Sequence, residues 1–130
     1  MMRGTPIEIF GDGSTTRDFC YIANVVQANL LAATAHLEPG RHEVVNVAVG
    51  GRTSLNELFA LLRSLLLPNH PHLQAYQPVH RDFRPGDLRH SQADITKAQQ
   101  LLHYAPSHTV EEGLREALAW YRSSTTRAGH

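Results

Sequence analysis

Val44-Val45-Asn46-Val47-Ala48-Val49 is a nearly continuous apolar run, broken only by Asn46 and closed by Gly50-Gly51. A short run rich in β-branched residues and bounded by turn residues reads as a strand covered on both faces in a parallel sheet. Such a strand needs sheet neighbours at its edges and helices on its faces, which constrains the chain to an α/β architecture.

The helical patterns lie where that architecture requires them. Asn24-Val25-Val26-Gln27 has the reciprocal capping pattern, so a helix is predicted from near Asn24 to about His36, before Pro39-Gly40. Its apolar face would be Val26, Leu30, Ala33 and Leu37, widened by Val25, Ala28 and Ala32. Ser54-Leu55-Asn56-Glu57 is a second capping box, opening a helix that carries Leu58, Leu61, Leu62 and Leu65 and stops at Pro68. Asp94 can cap a helix from Ile95 to His103, and Thr109-Val110-Glu111-Glu112 is a third box. The last helix repeats Val110, Leu114, Ala117, Leu118 and Tyr121, with Trp120 and Tyr121 expected to pack onto the core. Gly113 inside it costs about 1 kcal/mol relative to Ala, which close backbone packing would explain. Residues 124–130 read as a polar, frayed tail.

Strand signals are fewer. Ile7-Glu8-Ile9-Phe10 alternates and stops at the turn Gly11-Asp12-Gly13-Ser14, and Leu73 to Val79 reads as a second short strand.

With 12 basic and 12 acidic residues there is no global field to steer the chain to nucleic acid or to an anionic membrane. Anion recognition must therefore be local. The longest apolar stretch, Leu65-Leu66-Leu67, is far too short to cross a bilayer. One cysteine, Cys20, excludes an internal disulfide, and Met1 to Pro6 has no signal-like apolar run, so a reducing, cytoplasmic setting is expected. His70, His72 and His80 lack the framework of cysteines or carboxylates that a zinc site needs, and they read as solvated loop residues.

Two arginine-centred segments stand out as candidate anion sites: Thr16-Arg17-Asp18-Phe19-Cys20-Tyr21-Ile22 and Arg84-Pro85-Gly86-Asp87-Leu88-Arg89-His90-Ser91-Gln92-Ala93-Asp94. A guanidinium grips phosphate oxygens two at a time, so two such segments suggest a diphosphate. For Arg17 a surface pair with Asp18 is the plain alternative. Arg81 and Arg89 read as solvated charges.

Together these segments resemble the substrate half of the extended short-chain dehydrogenase/reductase family, in particular the nucleotide-sugar epimerases, over about residues 5 to 123. The resemblance implies the C-terminal substrate-binding portion of an extended Rossmann-type fold, lacking the N-terminal dinucleotide-binding half. It implies that Arg17 and Arg84 hold the diphosphate of a UDP-sugar and that Asp87 meets the ribose. It also implies that the backbone at Glu8 and Phe10 reads uracil, and that Ser91, small where hexose-restricted relatives have a large aromatic residue, leaves room for an N-acetyl group.

A complete family enzyme oxidises C4 of the sugar with NAD and returns hydride to the opposite face, using a glycine-rich turn and a Tyr-x-x-x-Lys pair. Here Gly11-Asp12-Gly13-Ser14-Thr15-Thr16 lacks the third glycine and is followed by Arg-Asp-Phe instead of an apolar helix. The one lysine, Lys97, has Ala93 four positions before it. No NAD is therefore expected to bind this chain alone, and no catalytic or metal residue is assigned. The expected partners are a UDP-sugar and an upstream NAD-binding segment or chain, with a homodimer open for the complete enzyme. A nucleotide-sugar dehydratase or decarboxylase, or a non-catalytic UDP-sugar-binding module, are the alternatives.

Overall fold

A computed structural model describes residues 1–2 and 4–127. In chain order its elements are β1 (Glu8–Phe10), β2 (Thr16–Arg17), α1 (Ile22–Thr34), β3 (Thr53–Ser54), α2 (Leu55–Leu66), β4 (Val79–Arg81), α3 (Thr96–Leu102) and α4 (Val110–Arg127). Two short 3-10 turns, Leu67–Asn69 and Pro71–Leu73, follow α2. The α/β character expected from the sequence is present. The chain divides into two compact units, Met1–Arg17 with Arg52–Gln92, and Asp18–Gly51 with Ala93–His130.

In the first unit β1 pairs β4 in parallel, with Glu8, Ile9 and Phe10 opposite Val79, His80 and Arg81. The second expected strand thus begins only at Val79, because Pro71 and the residues after it turn in 3-10 geometry. β2 pairs β3 antiparallel. Ser54 caps α2 as predicted: its Oγ accepts the Glu57 N–H at 3.1 Å, and the Glu57 carboxylate accepts the Ser54 N–H at 2.7 Å. Such a cap is worth about 1 kcal/mol. α2 buries Phe59 and Leu66, and Leu73 is fully buried. Pro68 sits in the 3-10 turn that ends the helix.

The second unit has its core in Ala28, Ala48, Ile95, Ala98, Leu102 and Tyr104. Several expectations are corrected here. α1 starts at Ile22, two residues early, and Asn24 does not cap it. Instead Asn24 is fully buried and ties down the residues before α4: its Oδ1 accepts the Ser107 and His108 N–H groups at 2.9 and 3.1 Å, and its Nδ2 donates to the His108 carbonyl at 2.8 Å. The buried face of α1 is the Asn24 and Ala28 side. The predicted apolar face is turned out, with Leu30 65% exposed and Val26 and Leu37 exposed as well.

Val44 to Val49 forms no ladder among the described residues. Val44 is 83% exposed, while Val45, Val47 and Ala48, which include both alternating positions of the run, pack on the core. Asp94 accepts the Thr96 N–H at 2.9 Å, one residue before the N-cap position that the helix takes at Ile95. The Thr109 box forms as predicted, with Glu112 accepting the Thr109 N–H at 2.8 Å. Gly113 explains itself: a Cβ there would lie 2.5 Å from the Tyr21 Cβ. Trp120 and Tyr121 do not pack inward; they stand exposed with rings edge to face, 4.9 Å apart. Their apolar repeat was too sparse at that end of α4 to fix which side faced in. The helix continues to Arg127, past the predicted start of the tail, and residues 128–130 lie outside the described ones.

Candidate functional site

A cavity of about 240 Å³ in the first unit collects four of the six residues singled out in the sequence, Glu8, Phe10, Arg84 and Asp87. Its apolar lining is Leu55, Leu58 and Leu62 of α2, with Ile9 of β1 and Ile7 just before that strand. The backbone phase of β1 explains why Glu8 and Phe10 belong to it. The Val79 N–H donates to Ile7 and the Gly11 N–H to Arg81, each at 2.8 Å, so odd-numbered positions of β1 bond to β4. In a parallel pair the bonding residues alternate, and the main-chain groups of Glu8 and Phe10 therefore turn to the opposite edge. No strand pairs there among the described residues. An open strand edge presents N–H donors and C=O acceptors that a planar base can pair with.

The side chains of these two residues are engaged elsewhere. Glu8 accepts from Arg81 Nη2 at 2.6 Å and Nε at 3.0 Å, which gives Arg81 a partner in place of the solvated role expected of it. The Phe10 ring lies under Arg84, whose guanidinium carbon is 3.8 Å from the ring centroid. Stacking of this kind holds the planar cation in place and leaves its N–H edge for an anion. Arg84 has no carboxylate partner among the described residues.

Arg17 is joined to this group through Asp87. Its Nη2 lies 2.5 Å from Asp87 Oδ1, while Nη1 donates to the carbonyls of Thr16 at 2.8 Å and Leu88 at 2.7 Å. The alternative pair with Asp18 does not form. Asp18 accepts the N–H groups of Val49, Gly50 and Ala93 at 3.1 to 3.3 Å, a structural role that the sequence reading missed. Its signal was present where the Val run meets its first glycine, since the N–H groups of Val49 and Gly50 need an acceptor. Ser91 is exposed and its N–H donates to the Thr16 carbonyl at 3.2 Å, so it lies beside β2 and does not line the cavity. Arg89 stands over the Phe83 ring at 4.6 Å and 4.0 Å from Asp12.

The glycine turn does not fit a dinucleotide. Gly11 and Gly13 both have positive φ, yet the space beside them is filled: a Cβ would lie 2.2 Å from the Phe83 ring at Gly11 and 2.0 Å from the Asn56 side chain at Gly13. These glycines serve packing, and the turn leads into β2, not into a helix whose N-terminus could receive pyrophosphate. Nor do Tyr104 and Tyr21 of the second unit suit a base. Burial foremost, then Cys20 and Asp18, raises Tyr104 to about 12, and its hydroxyl donates to the Ala48 carbonyl at 2.8 Å. Tyr21 is pushed up as well, by burial first and then by Glu116. Lys97, the one lysine, is paired with Glu43 at 2.9 Å. Cys20 is partly buried, with its Sγ 3.7 Å from the Tyr21 carbonyl.

Comparison with known proteins bears on this arrangement. The model of the NAD dependent epimerase/dehydratase family matches residues 1–48. A UDP-glucuronate 4-epimerase of Thermodesulfobacterium geofontis is 31% identical over 92% of this chain and 34% of its own length. Residues 1–48 thus belong to the NAD-dependent epimerase/dehydratase family.

Among solved family structures, UDP-glucose 4-epimerase of Thermotoga maritima, determined with UDP-glucose, superposes with a TM-score of 0.84 at 38% identity. That match covers 96% of this chain and 37% of the other. UDP-N-acetylglucosamine 4-epimerase of Methanobrevibacter ruminantium, in complex with UDP-N-acetylmuramic acid, gives a TM-score of 0.79 at 32% identity over 94% of this chain and 36% of the other. The chain spans about a third of the length of the relatives it matches. Its fold is accordingly a part of the extended Rossmann-type epimerase fold, consistent with a C-terminal portion. Among the described residues no helix is long and apolar enough to cross a membrane.

Proposed function

We propose that this chain is the UDP-sugar-binding part of an NAD-dependent nucleotide-sugar 4-epimerase, acting on a UDP-N-acetylhexosamine, and that it does not turn over alone. The observation that carries the reading is the convergence on one cavity of the open backbone edge at Glu8 and Phe10, the stacked Arg84, and Asp87 with its partner Arg17. That convergence offers a base edge, a ribose acceptor and two guanidinium groups, which are the parts of a nucleoside diphosphate in order. Ser91 supports the N-acetylated sugar only through its small size. The exposed face of α1 and the unladdered run from Val44 to Val49 support a further polypeptide segment, upstream in the same chain or separate, that covers them and brings the NAD-binding part.

Amide NMR during a UDP titration tests the reading. The largest shifts are expected at Glu8, Phe10, Arg84 and Asp87, with no 4-epimerase turnover when NAD and UDP-N-acetylglucosamine are supplied. Shifts confined to the second unit would remove the site, and robust turnover by the pure chain would remove the assignment of chemistry to another segment.

A further inference from the structure

The ion pair between Arg17 and Asp87 sets the diphosphate arginine against its own chain. A guanidinium has five N–H donors, and Arg17 spends Nη1 on the Thr16 and Leu88 carbonyls and Nη2 on Asp87. The two carbonyl bonds fix the plane of the group and use both Nη1 hydrogens, which leaves Nε–H and one Nη2 N–H for an anion. A phosphate gripping Arg17 through those two groups therefore arrives beside Asp87 Oδ1 and against the charge of that carboxylate. Asp87 is well placed to leave. It closes the turn Arg84-Pro85-Gly86-Asp87, where its N–H donates to the Arg84 carbonyl at 3.2 Å and Gly86 takes a φ of +78°. It also lines the cavity, and the pair is part-exposed, with side chains 29% and 39% accessible. An ion pair this open to solvent contributes little to stability and is cheap to exchange.

We propose that Asp87 acts as an internal stand-in for the ligand's anion, holding Arg17 until ribose hydroxyls engage the carboxylate and release the guanidinium to the diphosphate. The inference rests on the nucleoside-diphosphate reading of this site and adds a selection rule to it. Inorganic pyrophosphate has the charge to compete for Arg17 but no hydroxyl to satisfy Asp87, so it faces an uncompensated carboxylate. A nucleoside diphosphate satisfies both groups at once. Asp87 is thus a specificity residue that couples recognition of the sugar ring to capture of the phosphates.

Calorimetric titration of pyrophosphate and UDP into the unaltered chain, Asp87→Asn, Arg17→Ala and the double variant tests the proposal. Asp87→Asn should bind pyrophosphate about tenfold more tightly than the unaltered chain, the scale of one charged hydrogen bond regained. That gain should vanish in the Arg17→Ala background, which separates release of Arg17 from a general loss of negative charge. Pyrophosphate affinity unchanged or lowered by Asp87→Asn, or a gain that survives Arg17→Ala, would overturn it. On the unaltered chain, 2′,3′-dideoxyuridine diphosphate should bind closer to pyrophosphate than to UDP, and binding equal to UDP would count against the proposal. Failure of the folded, unaltered chain to bind UDP would instead sink the nucleoside-diphosphate reading, while the pyrophosphate arms still report on the ion pair.

Discussion

The guanidinium of Arg84 stacks on the ring of Phe10, 3.8 Å from its centroid, and both residues line the same cavity. The strand proposed to offer a main-chain edge to a base is thereby the strand that holds the proposed phosphate-binding arginine in place. An exposed cation–π contact is worth about 0.5 to 1 kcal/mol. Phe10→Leu should therefore weaken UDP binding by a few-fold while leaving β1 intact. Arg84→Lys should cost more, since an ammonium neither stacks as a plane nor offers a fork. Calorimetry on both variants checks this, and a lysine that binds UDP as well as arginine would show that charge alone matters.

Gly113→Ala pits helix propensity against packing. Alanine at this fourth residue of α4 would gain up to about 1 kcal/mol by propensity. The new Cβ, however, falls 2.5 Å from the Tyr21 Cβ, which no side-chain rotation can relieve, and overpacking costs about 1 to 3 kcal/mol. Net destabilisation is expected, read as a lower midpoint in urea unfolding. A stabilised Gly113→Ala would show that α4 shifts to accept the methyl group.

Asn24→Ala should be among the more damaging single changes in the second unit. It strands the Ser107 and His108 N–H groups in partly buried surroundings, at about 1 to 3 kcal/mol for each unsatisfied group. Asn24→Asp should not rescue, because a carboxylate cannot donate to the His108 carbonyl that Nδ2 now serves. Denaturant melts of the two variants decide it, and an aspartate equal to asparagine would contradict the donor role.

Acid sensitivity should follow the helix caps. The Ser54 backbone N–H foremost, then its hydroxyl, holds Glu57 below the usual carboxylate range, and Thr109 does the same for Glu112 in the same order. A carboxyl whose folded value is the lower one stabilises above its unfolded value, near 4.5, and loses that contribution as pH falls through the folded value. Glu57→Gln and Glu112→Gln should lower Tm at neutral pH, and the deficit should close once the carboxyls are protonated. A deficit unchanged in strong acid would mean that the substitutions act through packing.

What the sequence made legible follows from the range of each interaction. The boxes at Ser54 and Thr109 and the strand at Glu8 to Phe10 are local, and their signals survived into the structure. Arg17 and Arg84 were legible as anion-binding candidates from residue type, and Asp87 as a ribose partner from the family resemblance, but their pairing was not. The contact between positions 17 and 87 depends on a turn and a ladder that no local pattern specifies. Asn24 was misread because an asparagine followed by glutamine three residues on fits a cap, while its long-range bonds to 107 and 108 outweigh that local option. Val44 to Val49 was read from composition as a covered strand, yet a ladder requires partners, and none of the described residues supplies them.

Arg17 and Arg84 are proposed to hold the diphosphate of a UDP-sugar at the open edge of β1. Titration of UDP into the chain and into Arg17→Ala and Arg84→Ala, followed by calorimetry, tests it most directly. Saturable binding at one site is expected, weakened in each variant by about 1.5 to 3 kcal/mol per lost charged hydrogen bond. A well-folded chain that binds no UDP, or that binds it equally well without either arginine, would contradict the account.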